Sequence, residues 1–401
     1  NQLWEQSALG SWGESICYEP DQVQADCTIT DIRPVMVRSM GTGVPWGWTN
    51  NVGGGDFFRC FDVAGNRMAH RGMRTTSHRN GPCFTEVTFA GSLGAAMAHS
   101  TTVSLGRTDD IVRGCYHLRL DVNNAVDFSR FVIFQFGSDT YNAISGRGIA
   151  LGNETGLIKE WAAQWGGPAY RTDPMECRGR IPWLSLHDSV PRGKEPSAAI
   201  ANRGLVIRSW KARLGGKPAA PWAAEHGVTI GRVDSSTIDL LTPPGVNRLE
   251  PGDFIEATIE LVVMPQFAGD YYGPNVALRD ALTADGNTWR MIHREAIGND
   301  RRVEMKSGTL LRTHPAITIE AKDDRAECVL TGGLGHVPLI FSGLTSPAGR
   351  TLYRDGQPVD QQVHGNDFWQ TDYDSVAGTW SRTYTVPVND VQPHAFRLAV
   401  D

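Results

Sequence analysis

No stretch of the 401 residues approaches the roughly 20 consecutive apolar side chains that a membrane-crossing helix needs. The densest run, Phe131-Val132-Ile133-Phe134-Gln135-Phe136, is strand-length. A surplus of basic charge is also missing. Thirty-eight Lys+Arg face 44 Asp+Glu, a net charge of −6, so general nucleic-acid binding loses the basic surface on which its affinity rests. The 7 cysteines (Cys17, Cys27, Cys60, Cys83, Cys115, Cys177 and Cys328) show no paired CxxC spacing, which argues against a structural zinc site. There is no GxSxG, P-loop, HExxH or dinucleotide fingerprint, so serine hydrolase, kinase, zincin and dehydrogenase readings find no support. The chain opens at Asn1-Gln2-Leu3-Trp4, without an initiator Met or a basic-plus-apolar leader, and is expected to be a processed product or a piece of something longer.

What is present is aromatic and turn-rich. Twelve Trp, 14 Phe and 9 Tyr offer more burial than a disordered chain carries, and 44 Gly with 22 Pro supply turns. Period-two segments dominate. Ile255, Ala257, Ile259, Leu261 and Val263 share one face, with Glu256, Thr258 and Glu260 on the other; Tyr116, Leu118 and Leu120 alternate with His117, Arg119 and Asp121; Ile317, Ile319 and Ala321 alternate with Thr318 and Glu320. Runs 131–136, 205–210 and 337–341 are apolar on both sides, as where two sheets face each other. An all-β fold follows: a large antiparallel β-sandwich of super-sandwich or jelly-roll type with a few short helices and a smaller C-terminal β unit. Helices are expected only near 154–165 and 274–297. The stretch 211–226 reads as a loop-like excursion, and the main domain as 1–311 followed by a C-terminal unit at 312–401.

Cys17/Cys27 and Cys60/Cys83 each bracket a short polar segment. A disulfide closing a loop of roughly 10–25 residues would add about 2–4 kcal/mol. The Trp-rich, Lys-poor β composition points the same way, to a secreted or periplasmic protein with one cysteine left over; seven small buried thiols are the alternative.

Several constellations could carry chemistry. Between Asp62 and Glu86 there is no acidic residue, yet Arg67, His70, Arg71, Arg74, His78 and Arg79 all fall there. Arginine forks grip carboxylates or sulfates, and a neighbouring histidine can accept a proton near neutral pH. A solvated hairpin paired with acidic side chains elsewhere is the plainer reading. Trp46 and Trp48 lie one apart before Asn50, Asn51 and Gly53-Gly54-Gly55, which suits a sugar ring with apolar faces and polar edges. Tyr141 and Asn142, with Glu154 and Trp161 further on, follow the apolar run. Tyr272, Trp289, Arg290, His293 and Glu295 form a fourth group around the second helical segment, and the aromatic stretch 366–373 a fifth.

Large β-sandwiches rich in Trp, Tyr, Asn and Gly are carbohydrate-binding in style, and over about residues 1–310 the pattern resembles the galactose-mutarotase-like super-sandwiches of polysaccharide lyases and some glycosidases. The resemblance is one of pattern and rests on no residue-by-residue motif. It implies a polysaccharide or oligosaccharide substrate. For β-elimination of an anionic, uronate-containing glycan, Arg71, Arg74 or Arg79 would neutralise the uronate, His70 or His78 would take the proton, and Tyr141 or Tyr272 would protonate the leaving oxygen. A glycoside hydrolase would need two carboxyl groups, with Glu154 and Glu295 first and Asp56, Asp139 and Glu160 behind them. A non-catalytic carbohydrate-binding portion of a larger enzyme is the third reading. No cofactor is implied; a bound Ca2+ and the oligomeric state stay open.

Overall fold

The computed structural model describes residues 57–401, apart from 82, 107–111, 140–142, 145–146, 165–168, 189, 192–200, 231–232, 271–275, 360–368 and 389. Before residue 57, and at several strand ends, it describes strand backbone only.

The N-terminal three-quarters of the chain forms two large antiparallel sheets. The first runs in the order Gln2–Gln6, Gly13–Tyr18, Thr28–Ile32, Gly55–Phe61, Arg130–Asp139, Val233–Leu241, Trp222–Ile230 and Ala169–Tyr170, with Met175–Glu176 also pairing to Trp222–Ile230. The second runs Gly156–Ala162, Gly148–Asn153, Trp183–His187, Ala201–Leu214, Phe254–Pro265, Val112–Val122, Met97–Gly106, Phe84–Leu93 and His70–Asn80, with Lys217–Pro218 beside Ala201–Leu214. Their inner faces meet in one core. Ile255, Ala257, Ile259, Leu261 and Val263 enter it from one strand and Tyr116, Leu118 and Leu120 from its neighbour, as their alternation dictates.

The runs that are apolar on both sides have two different partners. Phe131, Ile133, Phe134 and Phe136 point into the core, while Val132 packs outward against Ala224 and Leu241. Leu205 and Ile207 point inward, while Val206 lies under the helices with Trp183, Met264 and Ile292. Helices α1 (Val276–Asp285) and α2 (Arg290–Gly298) thus cover the outer face of the second sheet, matching the expected 274–297 segment to within one residue at its end. Gly204 permits this, because a Cβ there would sit 2.4 Å from an Ile292 methyl.

The other helical expectation fails. Residues 148–162 form a β-hairpin, Gly148–Asn153 paired with Gly156–Ala162, which turns at Glu154-Thr155 where Thr155 donates from its N–H and hydroxyl to Asn153 Oδ1. The Trp and Ile spacing in that segment is equally a strand period, and the edge of a sheet leaves its outer side polar. Likewise 211–226 is not a loop. It holds the end of Ala201–Leu214, a Gly215-Gly216 turn with both φ values positive, and the start of Trp222–Ile230. The expected Cys60–Cys83 disulfide is absent too: Cys60 is a free buried thiol, as are Cys115, Cys177 and Cys328. Cys17 and Cys27 lie outside the side chains described.

The C-terminal unit is a sandwich of two five-stranded sheets around Ile317, Ile319, Leu339, Phe341, Tyr384 and Phe396. It includes Arg302–Ser307 and Thr309–Arg312, so its strands start upstream of residue 312. The remaining apolar face of 337–341, Ile340, packs with Ala316 on Phe84 of the main sandwich. Gln370 locks this junction as a surrogate strand. Its Oε1 accepts from the Phe84 N–H at 2.9 Å and the Cys83 N–H at 3.0 Å, and its Nε2 donates to the Phe84 carbonyl at 3.0 Å.

Candidate functional site

Among the described residues, the sequence-nominated groups do not come together into one cleft. His70–Asn80 is one edge strand of the ten-stranded sheet, whereas Glu154 and Trp161 lie in the hairpin at its opposite edge. Several have local partners. Arg71 and Arg74 stand exposed on the edge strand. Arg79 crosses to the C-terminal unit, donating to Ser381 Oγ at 2.5 Å and to Asp372 at 3.3 Å. His78 Nε2 lies 2.7 Å from Thr88 Oγ1. His70 is buried, its Nδ1 2.8 Å from His99 Nε2.

The two leading carboxylates are also engaged. Glu295, 1% exposed, takes a two-point bond from Arg113. Glu154 accepts the N–H groups of Arg180 at 2.8 Å and Ile181 at 3.0 Å, which hold its carboxyl below the usual range. Glu160 bonds His187 at 2.9 Å. Arg290 lies over Trp289 and 3.6 Å from Asp285, while His293 leans on Trp183. Trp161 donates its indole N–H to Glu225 at 2.8 Å. Tyr141, Asn142, Tyr272, Trp46, Asn50 and Asn51 lie outside the described residues; Trp48 and Asp139 are described as backbone only, as is Asp56.

A constellation that sequence reasoning missed sits on the outer face of the first sheet. Phe131, Ile238 and Leu240 point to the core, so alternation turns Arg130, Asp239 and Thr237 outward, and Gln135 joins them from between Phe134 and Phe136. Asp239 is fully buried. Its carboxylate accepts from Arg130 Nη2, from Gln135 Nε2 at 2.5 Å, from Thr237 Oγ1 at 3.1 Å and from the Tyr170 hydroxyl at 3.1 Å. Arg130 Nε in turn donates to the Tyr170 oxygen at 2.7 Å. His226 packs edge-on to the Tyr170 ring at 4.8 Å, and its buried Nδ1 has no hydrogen-bond partner among the described residues. Trp222, on the same strand and face, packs over Val132, Ala224 and Leu241, roughly 13 Å from His226 at 3.3 Å per residue.

The electrostatics divide these groups. Desolvation and the Asp239 carboxylate push the Tyr170 hydroxyl up despite the opposing Arg130, so it keeps its proton at neutral pH. Burial holds His226 below its ordinary value; Asp239 pulls the other way, and Arg130, Arg59 and Arg171 reinforce the lowering. The imidazole is therefore neutral. A protonated phenol and a neutral imidazole in ring contact, with arginine beside them, can supply an acid, a base and an anion clamp. The traces in the sequence were slight: Gln135 is the single polar residue in the densest apolar run, and Asp239 interrupts Ile238-Leu240-Leu241. Among the described residues no group of three or more His, Cys, Asp or Glu could hold a metal ion.

No family model and no curated protein matches this chain. Solved structures give distant overlaps. An α-galactosidase of glycoside hydrolase family 36 from Geobacillus stearothermophilus, in complex with raffinose, matches 67% of this chain and 41% of its own at 8% identity and a TM-score of 0.34. A heparinase III gene product matches 82% of this chain and 38% of its own at 6% identity and a TM-score of 0.31. A polysaccharide lyase matches 98% and 47% at 11% identity, with a TM-score of 0.19. All are carbohydrate-active enzymes, but likeness at this level carries no argument about this chain's reaction. The chain spans less than half the length of each.

Proposed function

We propose that this protein is a carbohydrate-active enzyme that cleaves an anionic, uronate-containing glycan by β-elimination on the outer face of the first sheet. The observation that carries the reading is the contact between a phenol that keeps its proton, Tyr170, and a neutral buried imidazole, His226, beside Arg130. In this reading Arg130, with Arg59 and Arg171 nearby, offsets the charge of the uronate carboxylate. His226 removes the ring proton next to that carboxylate. The electrons form the ring double bond, the glycosidic C–O bond breaks, and the leaving oxygen takes its proton from Tyr170. Asp239 holds Tyr170 and Arg130 in place; solvent then takes the proton from the His226 imidazolium and returns one to the Tyr170 phenolate. No cofactor is needed for this balance. Trp222 offers a face on which a neighbouring sugar ring can stack. Export to a secreted or periplasmic compartment belongs to the same reading.

One feature of the site favours non-catalytic glycan binding as the second reading: Arg130, Tyr170 and Asp239 are mutually satisfied. Incubation with a panel of uronate polysaccharides separates the two. Elimination generates the ultraviolet absorbance of an unsaturated uronate, which Tyr170→Phe abolishes while binding persists. New reducing ends without that absorbance would mean hydrolysis, and binding without either product would leave a binding protein.

A further inference from the structure

The second sheet contains an interruption that the proposed reaction does not use. Strand Trp183–His187 pairs with Ala201–Leu214 only as far as Trp183↔Val206, and Lys217–Pro218 pairs only with Arg213 and Leu214. Between those ends the strand edge is bounded by single bonds, from the Ile207 N–H to the Pro182 carbonyl and from the Ala219 N–H to the Ala212 carbonyl, each near 3.0 Å at most. Residues 208–211 have no strand partner on that side among the described residues. A bulge between Ile207 and Ser209 bends the strand at the gap.

The gap opens into a groove of about 610 Å3, within the range of small-ligand sites. It is lined by Ser209 and by Trp210, whose ring also packs against the main core, together with residues of the 176–182 segment and Pro218–Pro221. The Trp210 indole N–H donates to the Ala219 carbonyl at 2.9 Å, which fixes the ring in place. Arg178 is 75% exposed on its side chain and gives Glu176 only its Nε, at 2.8 Å. Its terminal nitrogens have no protein partner among the described residues. Lys211 adds a second exposed cation on the groove, its ammonium 5.7 Å from the centroid of the Phe254 ring.

The wall is built rather than incidental. Glu154 binds the Arg180 and Ile181 N–H groups, and Asn153 Nδ2 donates to the Arg178 carbonyl at 3.2 Å. Gly179 passes these two side chains at φ +110°, where a Cβ would lie 2.7 Å from both Asn153 and Glu154. Glu154 is thus a positioning residue for this wall. The same 169–182 segment carries Tyr170 opposite His226 and Glu176 opposite Trp222, so one sheet edge fixes groove and outer-face cluster relative to each other.

We infer that this groove is a second saccharide subsite, for an acidic sugar unit of a long glycan. Trp210 stacks on the ring, the open strand edge meets hydroxyls, and Arg178 with Lys211 grips a carboxylate or sulfate. The ligand class rests on the proposed glycan function, but the groove is a separate place on the molecule.

The test uses the full chain and size-graded fragments of alginate and chondroitin sulfate, with binding measured calorimetrically and turnover by absorbance. The charge reversals Arg178→Glu and Lys211→Glu, together, should weaken binding of long fragments about tenfold or more, as expected when charge-assisted bonds are lost. Binding and turnover of the shortest fragments should be unchanged, and Arg178→Lys should restore part of the affinity. Both residues are exposed, so folding is preserved. Unchanged affinity of the double variant for long fragments overturns the subsite and leaves the Tyr170 reading intact. Long fragments that bind, and are lost by the double variant, without any elimination product support the subsite while overturning the reaction. No binding of any fragment overturns both.

Discussion

The carboxylate of Glu295 on helix α2 receives both Nε and Nη2 of Arg113 from the central strand Val112–Val122. A few ångströms further on, Arg208 pairs with Glu260 and caps the Ala296 carbonyl, while Asn299 Nδ2 binds Glu260 Oε1 at 3.0 Å. Arg301 and His314 extend the network to the first residues of the C-terminal unit. Charges buried this deeply are fixed by each other, which marks the group as the fastening of helix, sheet and C-terminal unit.

Breaking that fastening should therefore cost stability and spare chemistry. Glu295→Ala removes the two-point carboxylate partner of the buried Arg113 guanidinium, and about 3–5 kcal/mol should be lost from unfolding measured in urea. The folded fraction should keep its KM for any substrate. A loss of turnover in fully folded Glu295→Gln would return this residue to the list of catalytic candidates.

Gln370→Ala removes the side chain that pairs with the Phe84 peptide groups at the junction. One buried peptide group left unpaired costs about 1–3 kcal/mol. The expected signature is separate melting of the C-terminal sandwich in calorimetry, ahead of the main one. A single unshifted transition would show that the junction does not depend on this residue.

Turnover should follow the protonation of His226 and Tyr170. The imidazole is the base and its pKa lies below the ordinary 6.5 of histidine, so kcat/KM should rise on the acid side and level off before neutral pH. Tyr170 is pushed upward, so no alkaline fall is expected until above about pH 10. Tyr170→Phe should lower kcat by roughly 100-fold or more with KM little changed. A profile identical in His226→Gln would remove the base assignment.

Acid should weaken the fold through His70 and His99. Burial and the neighbouring His99 push His70 down to about 3, and burial pushes His99 to about 4. Unfolded histidine binds a proton near pH 6.5, so the unfolded chain holds more protons between about pH 3 and 6.5. Stability from this pair is complete above that window and is lost as pH falls through it. The urea midpoint should drop between pH 7 and pH 4, and His99→Gln should flatten the part of that slope due to the pair.

The sequence by itself determined the strands and which of their faces point inward. A period of two is a property of the extended backbone, so Ile255, Ala257, Ile259, Leu261 and Val263 had to enter a core together. It also determined the helical cover at 274–297, where the apolar positions repeat at helical spacing. The hairpin at 148–162 was misread because Trp161 and Ile158 fit either period over so short a span. The site was decided only by the tertiary structure. Arg130, Tyr170, His226 and Asp239 come from four strands spread over more than a hundred residues, and strand order, which joins 130–139 to 233–241 and 222–230 to 169–170, is set by long-range pairing that no local pattern encodes. The same pairing separates the basic block at 70–79 from Glu154 by the full width of a sheet, so residues that look alike in charge and composition serve different ends of the molecule.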